Sequence, residues 1–249
     1  MKLLLTGARG TVGPWVLREA ELRGWEVVAW HREHVDPDDA NASDAFLRAE
    51  SPDAIVHLAM GAEAWAGRLA AFASQRGIAM VFTSTAMVFD ASQGGPHRPG
   101  DPRGARDEYG QYKIRCEDAV LAADPRATIA RIGWQIAPEP VGNNMLRHLD
   151  EQNAREGRIR ASAAWRPACS FLTDTAAALC DLVGERPAGA VHLDSNAHDA
   201  WTFDEIVRRL AAKYERRWTI EVTQDHVHDQ RLLNDLGGSM LPPLHQHLS

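Results

Sequence analysis

Residues 2–13 read Lys2-Leu3-Leu4-Leu5-Thr6-Gly7-Ala8-Arg9-Gly10-Thr11-Val12-Gly13, and this stretch decides the fold. Its apolar run is short and unbroken, as expected of a strand buried on both faces in a parallel sheet. Gly7, Gly10 and Gly13 follow at G-x-x-G-x-x-G spacing. Pro14 then falls where the first turn of a helix can spare an N–H, and Trp15, Val16, Ala20 and Leu22 recur at helical spacing until Gly24. Glycines between a buried strand and a helix permit a tight turn and let backbone amides approach a pyrophosphate at the positive helix end. They also allow the helix to pack closely on the sheet. A glycine-rich turn that holds nothing is the plain alternative.

Working outward, residues 26–30 read as a second strand, and the polar loop 36–39 leads to a helix over 43–50. Residues 54–59 are the next buried run, followed by a helix over 69–74 and a strand over 78–82. A loop rich in Gly, Pro and charge covers 93–106, before a helix over about 107–123 and a strand over 127–132. Strands alternating with helices predict an α/β fold, a doubly wound parallel sheet with its binding crevice at the carboxyl ends of the strands. After Trp134 the alternation weakens to helices over 144–156, 173–184 and 203–214 and a strand over 190–193. The expected organisation is a nucleotide-binding domain over 1–138 and a smaller mixed α/β substrate lobe over 139–249. Within that lobe, about 168–194 is expected to return to the first domain.

Composition narrows the function. The 249 residues are 45% apolar and 24% charged, which excludes a disordered, fibrous or disulfide-framework chain. Net charge is −7 and no basic block exceeds Arg208-Arg209 or Arg216-Arg217, so no nucleic-acid partner is expected. Cys116, Cys169 and Cys180 show no C-x-x-C spacing, which suggests neither disulfides nor zinc and fits a reducing, cytoplasmic setting. The first apolar run is too short for a secretion signal, and nothing approaches about 18 apolar residues, so no membrane span is expected. His226 and His228, like His245 and His247, are two apart without a carboxylate or cysteine framework, so no metal is expected. Cys116 reads as a packing residue, and Trp134 and Trp165 as candidate platforms for a sugar or base.

The second strand ends in Trp30-His31-Arg32. An acid at this tip accepts from a ribose 2′-hydroxyl, whereas arginine accommodates a 2′-phosphate. With no carboxylate at the tip and Arg9 in the glycine turn, the expected cofactor is NADPH, with NADH as the alternative. Thr11, Val12, Asp36 and the turn Leu58-Ala59-Met60 complete the candidate cofactor set. Tyr109 and Lys113 are four apart in an expected helix and so share one face. A nearby ammonium favours phenolate, which makes tyrosine a practical proton donor and acceptor near neutral pH. Ser84 and Thr85 add hydroxyls just beyond a central strand, where one can bond a substrate carbonyl, although such hydroxyls more often serve as caps.

Together these parts resemble the extended short-chain dehydrogenase/reductases, in the branch of dTDP-4-dehydrorhamnose reductase. Ser84-Thr85-Ala86-Met87-Val88-Phe89-Asp90 is similar to that branch's S-T-D-Y-V-F-D/G. Arg131-Ile132-Gly133-Trp134 with Gly142-Asn143-Asn144 is similar to its R-T-S-W and G-N-N-F segments. Ala190-Val191-His192-Leu193, Trp201-Thr202-Phe203 and Gln230-Arg231-Leu232 extend the likeness along nearly the whole chain. It implies an NAD(P)-binding Rossmann fold and NADPH-dependent reduction of a nucleotide-activated 4-keto sugar by Thr85, Tyr109 and Lys113. Lys113 would also bind the cofactor, and Ser84, Thr85, Ala86, Trp134 and Asn143 the substrate. It implies a monomer or homodimer working on a small molecule. Three departures stand out: Ala86 replaces an Asp, His31 an Asp at the second strand tip, and the 61–76 stretch is short. A regulatory NADP-binding subunit of the same fold, or a reductase or epimerase of another carbonyl compound, are the competing readings.

Overall fold

The computed structural model describes residues 1–139, 142–234 and 240–248. Its elements in chain order are β1 (Lys2–Thr6), α1 (Gly13–Leu22), β2 (Glu26–Ala29), α2 (Ala40–Glu50), β3 (Ala54–His57), α3 (Glu63–Arg76) and β4 (Ala79–Thr85). Then come α4 (Glu108–Ala123), β5 (Thr128–Ile132), β6 (Trp134–Ile136), α5 (Met145–Glu156), β7 (Ile159–Ser162), β8 (Trp165–Arg166) and β9 (Cys169–Phe171). The chain continues through α6 (Leu172–Glu185), β10 (Gly189–Leu193), α7 (Asn196–Asp199), α8 (Phe203–Lys213), β11 (Ile220–Thr223) and β12 (His228–Asp229). Short polar side chains set the helix starts: Asp39 accepts the Ala42 N–H at 3.0 Å at α2, and Asp107 accepts the Gly110 N–H at 2.8 Å at α4. Gly77 and Gly157, with φ of 66° and 70°, close α3 and α5 in the left-handed conformation that glycine adopts freely.

Two compact units result, the first comprising Met1–Val88, Arg106–Arg131 and Ala176–Val191, the second Phe89–Ala105, Ile132–Thr175 and His192–Ser249. The loop 93–106, read from sequence as part of the first domain, thus falls mainly in the second unit. The central six-stranded sheet has the order β2-β1-β3-β4-β5-β10, and β1 pairs in parallel with both β2 and β3, as β3 does with β4. The chain therefore reverses its direction of travel across the sheet between β1 and β3, which is where open α/β sheets bind ligands.

In the first unit, Leu4, Ile55, Met80, Phe82 and Ile129 from the strands pack with Trp65, Leu69 and Val120 from the helices. Two buried charges close that core, where Arg131 on β5 donates Nε and Nη2 to the Glu117 carboxylate on α4 at 3.0 and 2.8 Å. In the second unit, Ile136, Leu146, Leu149, Ile159, Phe171, Ile206 and Leu210 form the core. Here the strands pair as three two-stranded parallel ribbons, β6 with β9, β7 with β11 and β8 with β12. The Asp194 carboxylate accepts N–H groups from Cys169, Asn196 and Leu232 at 2.8 to 3.0 Å, tying three segments to one buried side chain.

Strands β6, β7, β8, β9, β11 and β12 have no counterpart in the sequence expectation, and among the expected elements one differs by more than a turn. Helix α3 begins at Glu63, six residues ahead of the predicted 69. Its buried face is Trp65, Ala66, Leu69, Ala70 and Ala73, and an alanine-rich face carries little of the hydrophobic period that marks a helix in sequence.

Candidate functional site

The glycine turn is built for close backbone approach. Gly7 has φ of 75° and accepts the Gly10 N–H at 2.9 Å, and a Cβ on Gly7 would stand 2.8 Å from Ala59 N in the turn after β3. At Gly13 a Cβ would meet the Gly7 carbonyl oxygen at 2.2 Å, so neither position admits a side chain. Helix α1 starts after Val12 with no side chain capping it and Pro14 in its first turn, which leaves its amides and positive end for an anion. These features fit the pyrophosphate of a dinucleotide.

Thr6 and His57, which sequence reasoning did not single out, lock this floor. The Thr6 hydroxyl receives the Leu58 and Ala59 N–H groups at 3.2 Å each and lies 2.6 Å from His57 Nδ1. With those amides donating to it, the hydroxyl donates to the ring, so His57 is neutral with its proton on Nε2. Burial, with Lys113 and Arg32 nearby, pushes the His57 pKa down to about 3, in agreement. Tyr112 is a second such residue, since its hydroxyl accepts the Gly61 N–H at 3.0 Å and donates to the Gly61 carbonyl at 2.9 Å. That bond fixes the turn containing Leu58, Ala59 and the half-exposed Met60. No local signal exists for either contact, because the partners are 51 residues apart.

Beside the turn opens a cleft of about 190 Å³, lined by Gly7, Ala8, Arg9 and Gly10 on one side and by Trp30, His31, Arg32, Glu33, Ala59 and Trp65 elsewhere. Arg9 and His31 meet here, with Arg9 Nη2 at 3.2 Å from His31 Nδ1. Arg32 sits apart from them, its guanidinium 5.4 Å over the Trp65 ring. The expectation of no carboxylate at the strand tip needs correction, because Glu33 lines the cleft and its Oε1 is 2.7 Å from Arg9 Nη2. An acid one residue past Arg32 was visible in the sequence; only its pairing with Arg9 was not. Asp36 is spent elsewhere, accepting the Asp38 N–H at 2.9 Å in the loop before α2, and does not line the cleft. Thr11 and Val12 lie in the turn between Gly10 and Gly13.

At the carboxyl end of β4, Thr85 is the last strand residue and Ala86 opens a buried 3-10 turn over Ala86–Val88. Thr85 Oγ1 accepts the Met87 N–H at 3.2 Å, and Tyr109 on α4 stands close enough for the Thr85 hydroxyl to act on its phenol. Lys113, one turn on, is buried and donates to the Thr83 carbonyl at 2.9 Å, with its ammonium 4.8 Å from the Phe82 ring centroid. The structure thus brings Thr85, Tyr109 and Lys113 to one strand end. The electrostatics differ from the sequence expectation of a lysine-stabilised phenolate. Burial pushes the Tyr109 phenol above its ordinary value, Thr85 being the group that opposes this, and burial pushes Lys113 down to about 8. Ser84 is buried with no hydrogen-bond partner at its hydroxyl.

The remaining two predicted site residues belong to the second unit. Trp134 opens β6, with its ring 6.3 Å from Trp165 and 6.1 Å from Phe203, both near-parallel. Asn143 lies in the exposed bend before α5, next to the buried Asn144, which caps that helix by accepting the Arg147 N–H at 3.0 Å.

Comparison with known proteins gives this geometry a family. The family model described as the RmlD substrate binding domain matches residues 1–64 and 62–217. The chain belongs to that family. A Streptomyces antibioticus member named "Probable dTDP-4,6-dihydroxy-2-methyloxan-3-one 4-ketoreductase" is 30% identical over 234 residues, covering 85% of this chain and 78% of its own. The dTDP-4-dehydrorhamnose reductase of Burkholderia thailandensis is 31% identical over 227 residues, covering 81% and 75%. Among solved structures, the dTDP-4-dehydrorhamnose reductase of Bacillus anthracis in complex with NADP superposes with a TM-score of 0.81 at 15% identity, covering 99% of this chain and 96% of that one. The fold is thus the Rossmann fold of the extended short-chain dehydrogenase/reductases, as the resemblance implied.

Proposed function

We propose that the protein is an NADPH-dependent reductase of a dTDP-linked keto sugar, with Thr85, Tyr109 and Lys113 as its working residues. The observation that carries this reading is the Lys113 ammonium, one turn along α4 from Tyr109, held at 2.9 Å on the Thr83 carbonyl at the end of β4 beside Thr85. NADPH, when bound along the glycine turn, supplies the hydride. Thr85 and Tyr109 hold the carbonyl oxygen between two hydroxyl donors, which stabilises the charge that develops there. The raised pKa of Tyr109 keeps the phenol protonated at neutral pH, the form needed to give a proton to the oxygen as an alkoxide forms. Lys113, its pKa pushed down to about 8 by burial, would bind the cofactor ribose. Family membership supports the sugar class.

Ala86 refines the substrate. Where the family carries Asp, this chain presents a methyl group, which favours a ring with fewer hydroxyls over the rhamnose precursor. The Streptomyces antibioticus relative, whose name describes a dihydroxy oxanone, supports that direction.

Tyr109→Phe removes one oxygen and is the deciding experiment. Turnover with dTDP-keto sugars should fall by about 10²–10⁴ while NADPH affinity, followed by fluorescence titration, is unchanged. A wild-type protein that binds NADPH yet oxidises none of it with a panel of such sugars would instead support the regulatory subunit.

A further inference from the structure

In the second unit, residues 89–105 form a strap laid on residues 228–233. The His97 N–H donates to the Arg231 carbonyl at 2.8 Å and the His97 carbonyl accepts the Leu233 N–H at 2.8 Å, and the approach leaves no room for a Cβ on Gly95 beside the Asp229 carbonyl. Two imidazoles meet inside this contact. His97 and His228 are 3% and 7% exposed, their ring centroids lie 6.0 Å apart at 74°, and neither Nε2 has a hydrogen-bond partner. Phe89 stacks on His97 at 4.3 Å, and the His226 ring stands 6.1 Å from His228. The other titratable groups around the pair are engaged elsewhere. Asp229 accepts from Arg231 Nε and Nη2 at 2.8 and 2.7 Å, Asp101 accepts the Arg98 N–H at 2.7 Å, and Asp90 accepts the Ser92 N–H at 2.9 Å. His192 donates its Nδ1–H to the Leu233 carbonyl at 2.9 Å, and Asp194 accepts the Leu232 N–H at 2.9 Å.

We propose that His97 and His228 form an acid-operated latch, whose protonation frees the strap 89–105 from residues 228–233 while the rest of the second unit stays folded. This does not depend on the reductase reading. As neutral rings the two imidazoles pack as aromatic groups. A proton added to either leaves a charge in a buried place whose carboxylates already have partners, and a second proton sets like charges on rings 6.0 Å apart. The charge regains water only if the two faces part. Among the described residues, two backbone bonds, both made by His97, tie the strap to residues 231 and 233, so the strap is the face that leaves. Burial pushes His228 down to about 4 and holds His97 below the ordinary histidine value. Both rings thus bind protons more weakly in the closed form than in the open one. The closed form is therefore favoured at neutral pH and loses ground as pH falls from about 6.5 toward 4.

Hydrogen–deuterium exchange of the full chain, read by mass spectrometry and corrected for the intrinsic effect of pH, tests the latch. From pH 7 to about pH 5.5, peptides covering 89–105 and 228–233 should lose about tenfold in protection, the factor provided by one pH unit below the ordinary histidine pKa. Peptides covering β7 and β11 should keep theirs. His97→Phe with His228→Phe keeps two rings and removes both titrations, so strap protection should no longer depend on pH. His97→Gln with His228→Gln carries the same expectation should the aromatic pair misfold. Asp194 remains in every variant, so its own titration cannot account for the difference. Strap protection unchanged at that lower pH in the wild type would overturn the latch. An equal loss in either double variant, or a loss spread over β7 and β11 alike, would overturn it too.

Discussion

In the first unit the Glu117 carboxylate is buried against a guanidinium, whereas in the second the Asp194 carboxylate is buried against the backbone amides of Cys169, Asn196 and Leu232. The contrast extends to neutral groups. Among the described residues, buried polar atoms with no hydrogen-bond partner are Trp65 Nε1 and Ser84 Oγ in the first unit. In the second they are His97 Nε2, Gln135 Oε1, Trp165 Nε1, Ser195 Oγ and His228 Nε2. A continuous sheet satisfies its backbone by construction and asks side chains only to pack. A lobe of two-stranded ribbons is held by individually placed polar side chains, and several of these keep bonding capacity in reserve.

The largest expected effect lies with the matched pair. Glu117→Ala removes the carboxylate that faces the buried Arg131 guanidinium and should destabilise the protein by about 3–5 kcal/mol, read from urea unfolding followed by circular dichroism. A loss under about 1 kcal/mol, the scale of exposed pairs such as Arg115 with Glu63, would remove the distinction between the units.

Asp194 sharpens the contrast through pH. Burial raises its pKa to about 7 against the three amides that lower it. The folded state therefore holds this proton more tightly than the unfolded state, and its contribution to stability falls as pH rises from about 4 to 7. In Asp194→Asn, a pH series of unfolding midpoints should lose that component of the slope, at the cost of one acceptor oxygen. An unchanged slope would mean that the amides alone carry the charge.

A smaller effect tests the first unit's neutral bonds. Tyr112→Phe deprives the Gly61 N–H and carbonyl of their phenol partner and should cost about 1–2 kcal/mol. It should also weaken NADPH binding by loosening the turn after β3, while Tyr109→Phe does not. Equal dinucleotide affinity in the two variants would show that the turn is held without the phenol.

What the sequence revealed follows the range of the interactions. The β1 strand, the glycine turn and α1 are written in one continuous stretch from Lys2 to Leu22, and Tyr109 and Lys113 share a face four positions apart, so both were legible. The ribbons of the second unit are not, because β8 and β12 are two residues each and too short to show an alternation. Thr6 with His57 and Tyr112 with Gly61 are likewise settled only when distant strand ends meet. Glu33 was legible as an acid but not as the partner of Arg9, since that pairing depends on the direction the glycine turn gives the arginine.

The three thiols give the molecule a built-in clock for its own opening. Cys116, Cys169 and Cys180 are all buried, and burial raises each above its ordinary pKa, Cys180 to about 12. Thiolate is the form that alkylating reagents attack, so in the native state all three are doubly protected, by burial and by protonation. Cys116 and Cys180 belong to the first unit and Cys169 to the second. The order in which a reagent marks them therefore records which unit loosens first, without a label added to the chain.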